Sequence, residues 1–157
     1  MATPPRGALQ LGLAIALAVG VLVGLGGYTF HFAEGLSYFS SDPRACVNCH
    51  IMREEYASWQ HASHHANATC VQCHLPHALV PKLWAKALNG WNHSRAFTLQ
   101  DFPEPVRITP GNARILQENC LACHAGLVSE LVHGSTTAAD APRCVHCHRG
   151  VGHGARD

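Results

Sequence analysis

The pentapeptide Cys70-Val-Gln-Cys73-His74 has three further copies, changed only at the two inner positions: Cys46-Val-Asn-Cys49-His50, Cys120-Leu-Ala-Cys123-His124 and Cys144-Val-His-Cys147-His148. The four copies use all 8 cysteines of the 157-residue chain. C-x-x-C-H is the attachment signature of c-type haem. Two thiols three positions apart on one turn reach the two vinyl groups along one porphyrin edge. The adjacent histidine then projects over the ring face toward the iron. Zinc is the first rival, because paired C-x-x-C units make Cys₄ sites. A zinc ribbon has no use for a histidine directly after each second cysteine, and here one follows every time. Disulfides leave those histidines equally unexplained. The motifs predict four covalently bound haem c groups, with electron transfer as the default function.

Cys46 and Cys70 are 24 residues apart, and so are Cys120 and Cys144. This spacing suggests two dihaem units joined by the 79–119 segment. Around the motifs, helices are expected over Arg53–His65, Leu79–Leu99 and Asn112–Asn119. Pro103, Pro105 and Pro110 make the 101–110 stretch an extended connector. Ser135–Pro142 reads as a loop, and no strand pattern occurs. The expected fold is mainly α with little regular secondary structure, the macrocycles forming most of its interior. Lys+Arg is 11 and Asp+Glu is 10, so no charge excess points to nucleic acid.

Upstream, no formal charge occurs from Gly7 to Ala33. At about 1.5 Å per residue such a helix exceeds a hydrocarbon core of about 30 Å. A cleaved signal peptide would have a shorter apolar run and a small-x-small site, where this chain has Phe30-His31-Phe32. The expected organisation is a cytoplasmic N-terminus (1–6), a transmembrane signal anchor (7–33) and a tetrahaem domain (34–157). The anchor lies in the cytoplasmic membrane. Haem attachment by this motif takes place outside the bacterial cytoplasm, which puts the C-terminal domain in the periplasm. Gly20 and Gly24 have the small-xxx-small spacing of paired membrane helices, a hint of self-association.

Beyond the motif histidines, nine remain: His31, His61, His64, His65, His77, His93, His133, His146 and His153. Six-coordinate haems need a second ligand for each iron. His65, before the second motif, and His153, five residues after His148, are the favoured candidates. His133 is the third, and His61 and His64 are less favoured. His146 lies inside a motif and should face away from its own iron. The first motif continues as His50-Ile51-Met52, and Met52 is the one methionine besides Met1. It is either a packing side chain or a thioether ligand, which would raise that haem's potential. His50 and Met52 are too close in sequence to grip opposite faces of one ring, so a ligating Met52 would replace His50.

Several segments together resemble the membrane-anchored tetrahaem quinol dehydrogenases of the NapC/NirT type, and among them the small subunit of cytochrome c nitrite reductase. They are Cys49-His50-Ile51-Met52, His64-His65-Ala66-Asn67, Cys73-His74-Leu75-Pro76-His77, Pro103-Glu104-Pro105-Val106-Arg107-Ile108 and Cys147-His148-Arg149-Gly150-Val151-Gly152-His153. The resemblance implies Met52 as axial ligand of haem 1, His74, His124 and His148 as motif ligands, and His65 and His153 as distal ligands. It implies a menaquinol site beside haem 1 at the lipid bilayer, with Lys86 as the matching lysine. Seven residues on, where relatives carry aspartate, this chain has His93. Lys86 and His93 share a helix face. Histidine can take a quinol proton or bind iron, and both roles for His93 stay open. One distal ligand in the family can be a lysine from the partner, and His133 could fill that place here.

The implied function is a quinol dehydrogenase that oxidises menaquinol and relays electrons through four haems to a pentahaem nitrite reductase catalytic subunit. Reduction of nitrite to ammonium would occur on that partner. The alternatives are a general quinol dehydrogenase serving periplasmic nitrate reductase or another periplasmic reductase, and a zinc-binding membrane regulator.

Overall fold

The uncharged run forms a single helix, α1 (Arg6–Phe32), begun by Pro5 with φ −62°. Its 27 residues span about 40 Å, more than a bilayer core needs. None of its side chains is buried, and it is the one described helix long and apolar enough to cross a membrane. Glu34 follows in the left-handed region (φ 51°) and starts a 3₁₀ turn, Gly35–Phe39. A Cβ at Gly35 would overlap the Phe30 ring, which would have to swing away to admit one.

The computed structural model describes residues 5–128 and 143–154. The chain divides into two compact units, Met1–Ser40 and Ser41–Asp157. Among the described residues every regular element of the second unit is a helix or 3₁₀ turn, and there is no strand. It opens with two 3₁₀ turns, Pro43–Asn48 and His50–Met52, followed by α2 (Arg53–Gln60) and α3 (Cys70–His74). After these come α4 (Leu79–Leu99), α5 (Pro110–Val128) and α6 (Cys144–Cys147). The expected loop at Ser135–Pro142 lies outside the described residues.

Local chemistry explains the boundaries. Asp42 caps the first 3₁₀ turn through the Arg44 backbone N–H. Arg44 also hydrogen-bonds the Asp42 carboxyl and holds it down to about 2. A capping box between Thr69 and Gln72 starts α3. Gln100 ends α4 in the left-handed conformation (φ 54°), with the Asp101 N–H returning to the Ala96 carbonyl. Thr109 accepts from the Asn112 N–H, and Pro110 opens α5.

Helix α4 has the expected limits. The helix expected to reach His65 stops at Gln60, because the chain turns back and the Trp59 indole N–H donates to the Ala68 carbonyl at 3.1 Å. The helix expected over Asn112–Asn119 extends in both directions and includes the whole third motif. No regular element occurs over 101–109, and the Glu104–Pro105 bond is cis.

The polypeptide core is small. Among the described residues, only Val71, Leu75 and Ala85 are buried apolar side chains, and the partly buried Ile115 packs on them. This places α3 against α4 and α5. The Asn119 amide donates to the Cys73 and Leu75 carbonyls, both at 2.9 Å, and ties α5 to the end of α3. Asn89 and Asn112 exchange side-chain hydrogen bonds between α4 and α5. Three such side chains cannot offset the ordering entropy of a domain this long. Its fold needs additional apolar bodies to pack upon.

Candidate haem relay

The four motifs do not share one backbone form. Motifs two, three and four lie on α3, α5 and α6. His74 and His124 continue the helices that carry their cysteines, and the His148 N–H closes the α6 turn onto the Cys144 carbonyl. The first motif is broken. Cys49 is extended (ψ 117°) between two 3₁₀ turns, so His50 begins a new turn instead of continuing that of the thiols. Met52 lies at the end of this new turn, exposed, its N–H bonded to the Cys49 carbonyl.

The thiols are free, and the motifs adjoin in series. The Cys46 thiol is held down to about 7 by its hydrogen bond with Cys70. That same bond, together with burial, pushes Cys70 up. Burial also raises Cys73, with Cys123 adding to the effect. Burial raises Cys120 as well, with Cys144 and Cys73 close enough to contribute. Motif one therefore adjoins two, two adjoins three, and three adjoins four.

Two histidine pairs cross this series. The His74 and His153 rings are 6.0 Å apart between centroids, with planes parallel to within 9°. The His64 and His124 rings are also 6.0 Å apart, with planes at 67°. Imidazoles on opposite faces of one metal, each with a bond of about 2 Å, hold their centroids roughly 6 Å apart. Burial pushes His74 down from the ordinary imidazole range, with His153 adding to it, and burial does the same to His153. Both therefore favour the neutral form, whose lone pair a metal takes. The donor set fits haem c: thiols on a turn, a motif histidine beside them and a second imidazole opposite. It does not suit tetrahedral zinc, since among the described residues no three His, Cys, Asp or Glu side chains converge on one metal position.

His65 is exposed and edge-on to Trp59 at 4.6 Å, so its neighbour His64 is the residue facing a motif histidine. His133 lies outside the described residues. His148 and His93 are exposed. Lys86, on α4, is close enough to Cys46 for their charges to interact, which puts it beside the first motif. Burial and neighbouring Lys82 push its ammonium down, against the pull of Cys46. Glu55 carried no sequence signal. Its Oε2 is 3.0 Å from Nδ1 of His153, a partner near the other end of the domain.

Comparison with known proteins supplies the remaining findings. The model of the NapC/NirT cytochrome c family, N-terminal region, matches residues 7–109. The cytochrome c-type protein NrfH of Wolinella succinogenes is 43% identical over 151 residues, 90% of this chain and 83% of that protein. The cytochrome c-type protein NapC of Escherichia coli is 30% identical over 175 residues, 96% of this chain and 84% of that one. A chain of the crystal structure of the cytochrome c nitrite reductase NrfHA complex bound to the HQNO inhibitor matches with a TM-score of 0.62. It is 27% identical, and the match covers 90% of each chain.

Proposed function

This chain belongs to the NapC/NirT cytochrome c family, and on that premise we propose that it is the membrane-anchored, quinol-oxidising subunit of a cytochrome c nitrite reductase. It is a single-pass membrane protein that transfers electrons through haem c. The finer proposal is four haems on the periplasmic side, fed by menaquinol and discharging to a catalytic partner that reduces nitrite.

The observation that carries the relay is the pair of 6.0 Å imidazole separations, each between a motif histidine and one remote in sequence. The partner follows from the NrfH relatives and the NrfHA structure. The NapC relatives favour the second reading, a quinol dehydrogenase serving another reductase, at lower identity.

In this proposal Cys46 and Cys49, Cys70 and Cys73, Cys120 and Cys123, and Cys144 and Cys147 attach the four macrocycles. His74 with His153, and His124 with His64, would hold the second and third. His148 would hold the fourth, together with His133 or a partner lysine. Met52 ligates the first, because the break at Cys49 takes His50 out of the turn of its thiols. Each haem supplies one-electron iron chemistry. Lys86 orients a quinol oxygen beside the first motif, and His93, on the same face of α4, accepts a quinol proton.

The test is menaquinol-dependent reduction of the purified, lipid-reconstituted protein, followed by electron delivery to its co-purified partner. The expected result is a haem c spectrum, a mass increased by four macrocycles and nitrite-dependent reoxidation through the partner. A colourless polypeptide, or haems that menaquinol does not reduce, overturns the proposal.

A further inference from the structure

Helix α2 clamps the far end of the chain. Glu55 and Ser58 are one turn apart on one face of this helix. Glu55 Oε2 is 3.0 Å from His153 Nδ1, and Ser58 Oγ accepts from the Gly154 N–H. Just beyond α2, the His64 N–H donates to the Val151 carbonyl at 3.4 Å. The segment 151–154 is thus held by three contacts. They fix the His153 ring parallel to His74.

The two remote histidines differ in what holds them. His153 meets a carboxylate that is only 16% exposed. His64 meets the neutral hydroxyl of Ser63, 3.2 Å from its Nδ1. A carboxylate only accepts, so Nδ1 of His153 carries the proton and Nε2 keeps its lone pair for a metal. A ligating histidine that gives its other N–H to a carboxylate becomes more basic. A more basic imidazole favours the ferric over the ferrous state, and the reduction potential falls. A neutral hydroxyl does much less.

We infer that Glu55 is a positioning residue that orients His153 and lowers the reduction potential of the second haem. This rests on the haem reading proposed above and goes beyond it by assigning a potential-tuning residue outside the ligand set.

The experiment is a spectroelectrochemical and EPR-monitored redox titration of the intact holoprotein and three variants. In Glu55→Gln, one of four midpoints moves to more positive potential, one low-spin EPR signal changes and four haems remain. Glu55→Asp keeps the charge at longer reach and moves the same midpoint less. Ser58→Ala loosens Gly154 but leaves the carboxylate, so the midpoints stay in place. Unchanged midpoints in Glu55→Gln overturn the inference. So does a common shift of all four, or an equal shift in Ser58→Ala, since either makes the role mechanical. If Glu55→Gln binds haem incompletely, Glu55→Asp decides: a positive shift at one centre supports the inference, and none overturns it. Loss of haem c from the unaltered protein would instead overturn the underlying functional reading.

Discussion

His64 and His124 face each other at 6.0 Å with their ring planes at 67°, while His74 and His153 stand at the same separation in parallel planes. Parallel axial imidazoles split the iron orbitals that mix with them, whereas planes nearer a right angle leave those orbitals close in energy. The holoprotein should therefore show one rhombic and one strongly anisotropic low-spin EPR signal from these centres. His64→Ala removes the anisotropic signal and creates a high-spin one, and His65→Ala leaves both in place. The opposite pattern would return the ligand role to His65.

Met52→Leu tests the broken first motif. Thioether ligation raises a haem potential relative to a second imidazole. Replacing Met52 should move one midpoint alone, to lower potential as His50 takes over, and change the spectrum of that centre. A redox titration identical to that of the unaltered protein would make Met52 a packing side chain.

Lys86→Leu keeps an apolar stem on α4 but shortens the side chain and removes its charge beside Cys46. Steady-state quinol oxidation should fall about tenfold or more, because a charged hydrogen-bond donor to the quinol oxygen is worth about 1.5–3 kcal/mol. Haem content should not change. Normal turnover would remove Lys86 from the quinol site.

His93→Ala separates the two roles left open for that residue. If His93 handles the quinol proton, turnover drops and the first haem's spectrum is unaltered. A change in that haem's spin state, with dithionite-reduced and oxidised spectra both affected, would identify His93 as an iron ligand instead.

Asn119→Ala addresses the seam between α3 and α5. It leaves the Cys73 and Leu75 carbonyls without their shared donor. The cost should be about 1–3 kcal/mol, read as a lower guanidinium midpoint for the holoprotein. A midpoint matching the unaltered protein would mean that these carbonyls find other donors.

The motifs, the anchor and the limits of α4 were legible in the sequence, because each rests on local chemistry: spacing, an uncharged run, a helix-compatible stretch between Pro76 and Gln100. The third motif's long helix was less so. Leu121, Ala122 and Ala125 simply let α5 continue through the cysteines. That His64 rather than His65 faces a motif histidine depends on where α2 ends, and that end is set by Trp59 reaching Ala68 across a turn. Glu55 was invisible because its partner His153 is brought to it by the folded chain, with no periodicity linking the two.

The slight core of Val71, Leu75 and Ala85 among the described residues bears on how the protein is made. With so few side chains there to collapse around, folding is expected to depend on the macrocycles being loaded. Folding and macrocycle attachment become one thermodynamic event, as in small domains that exist only with their metal. Supply of haem would thus limit how much of this protein survives proteolysis, and abundance in the membrane would become a direct readout of successful maturation.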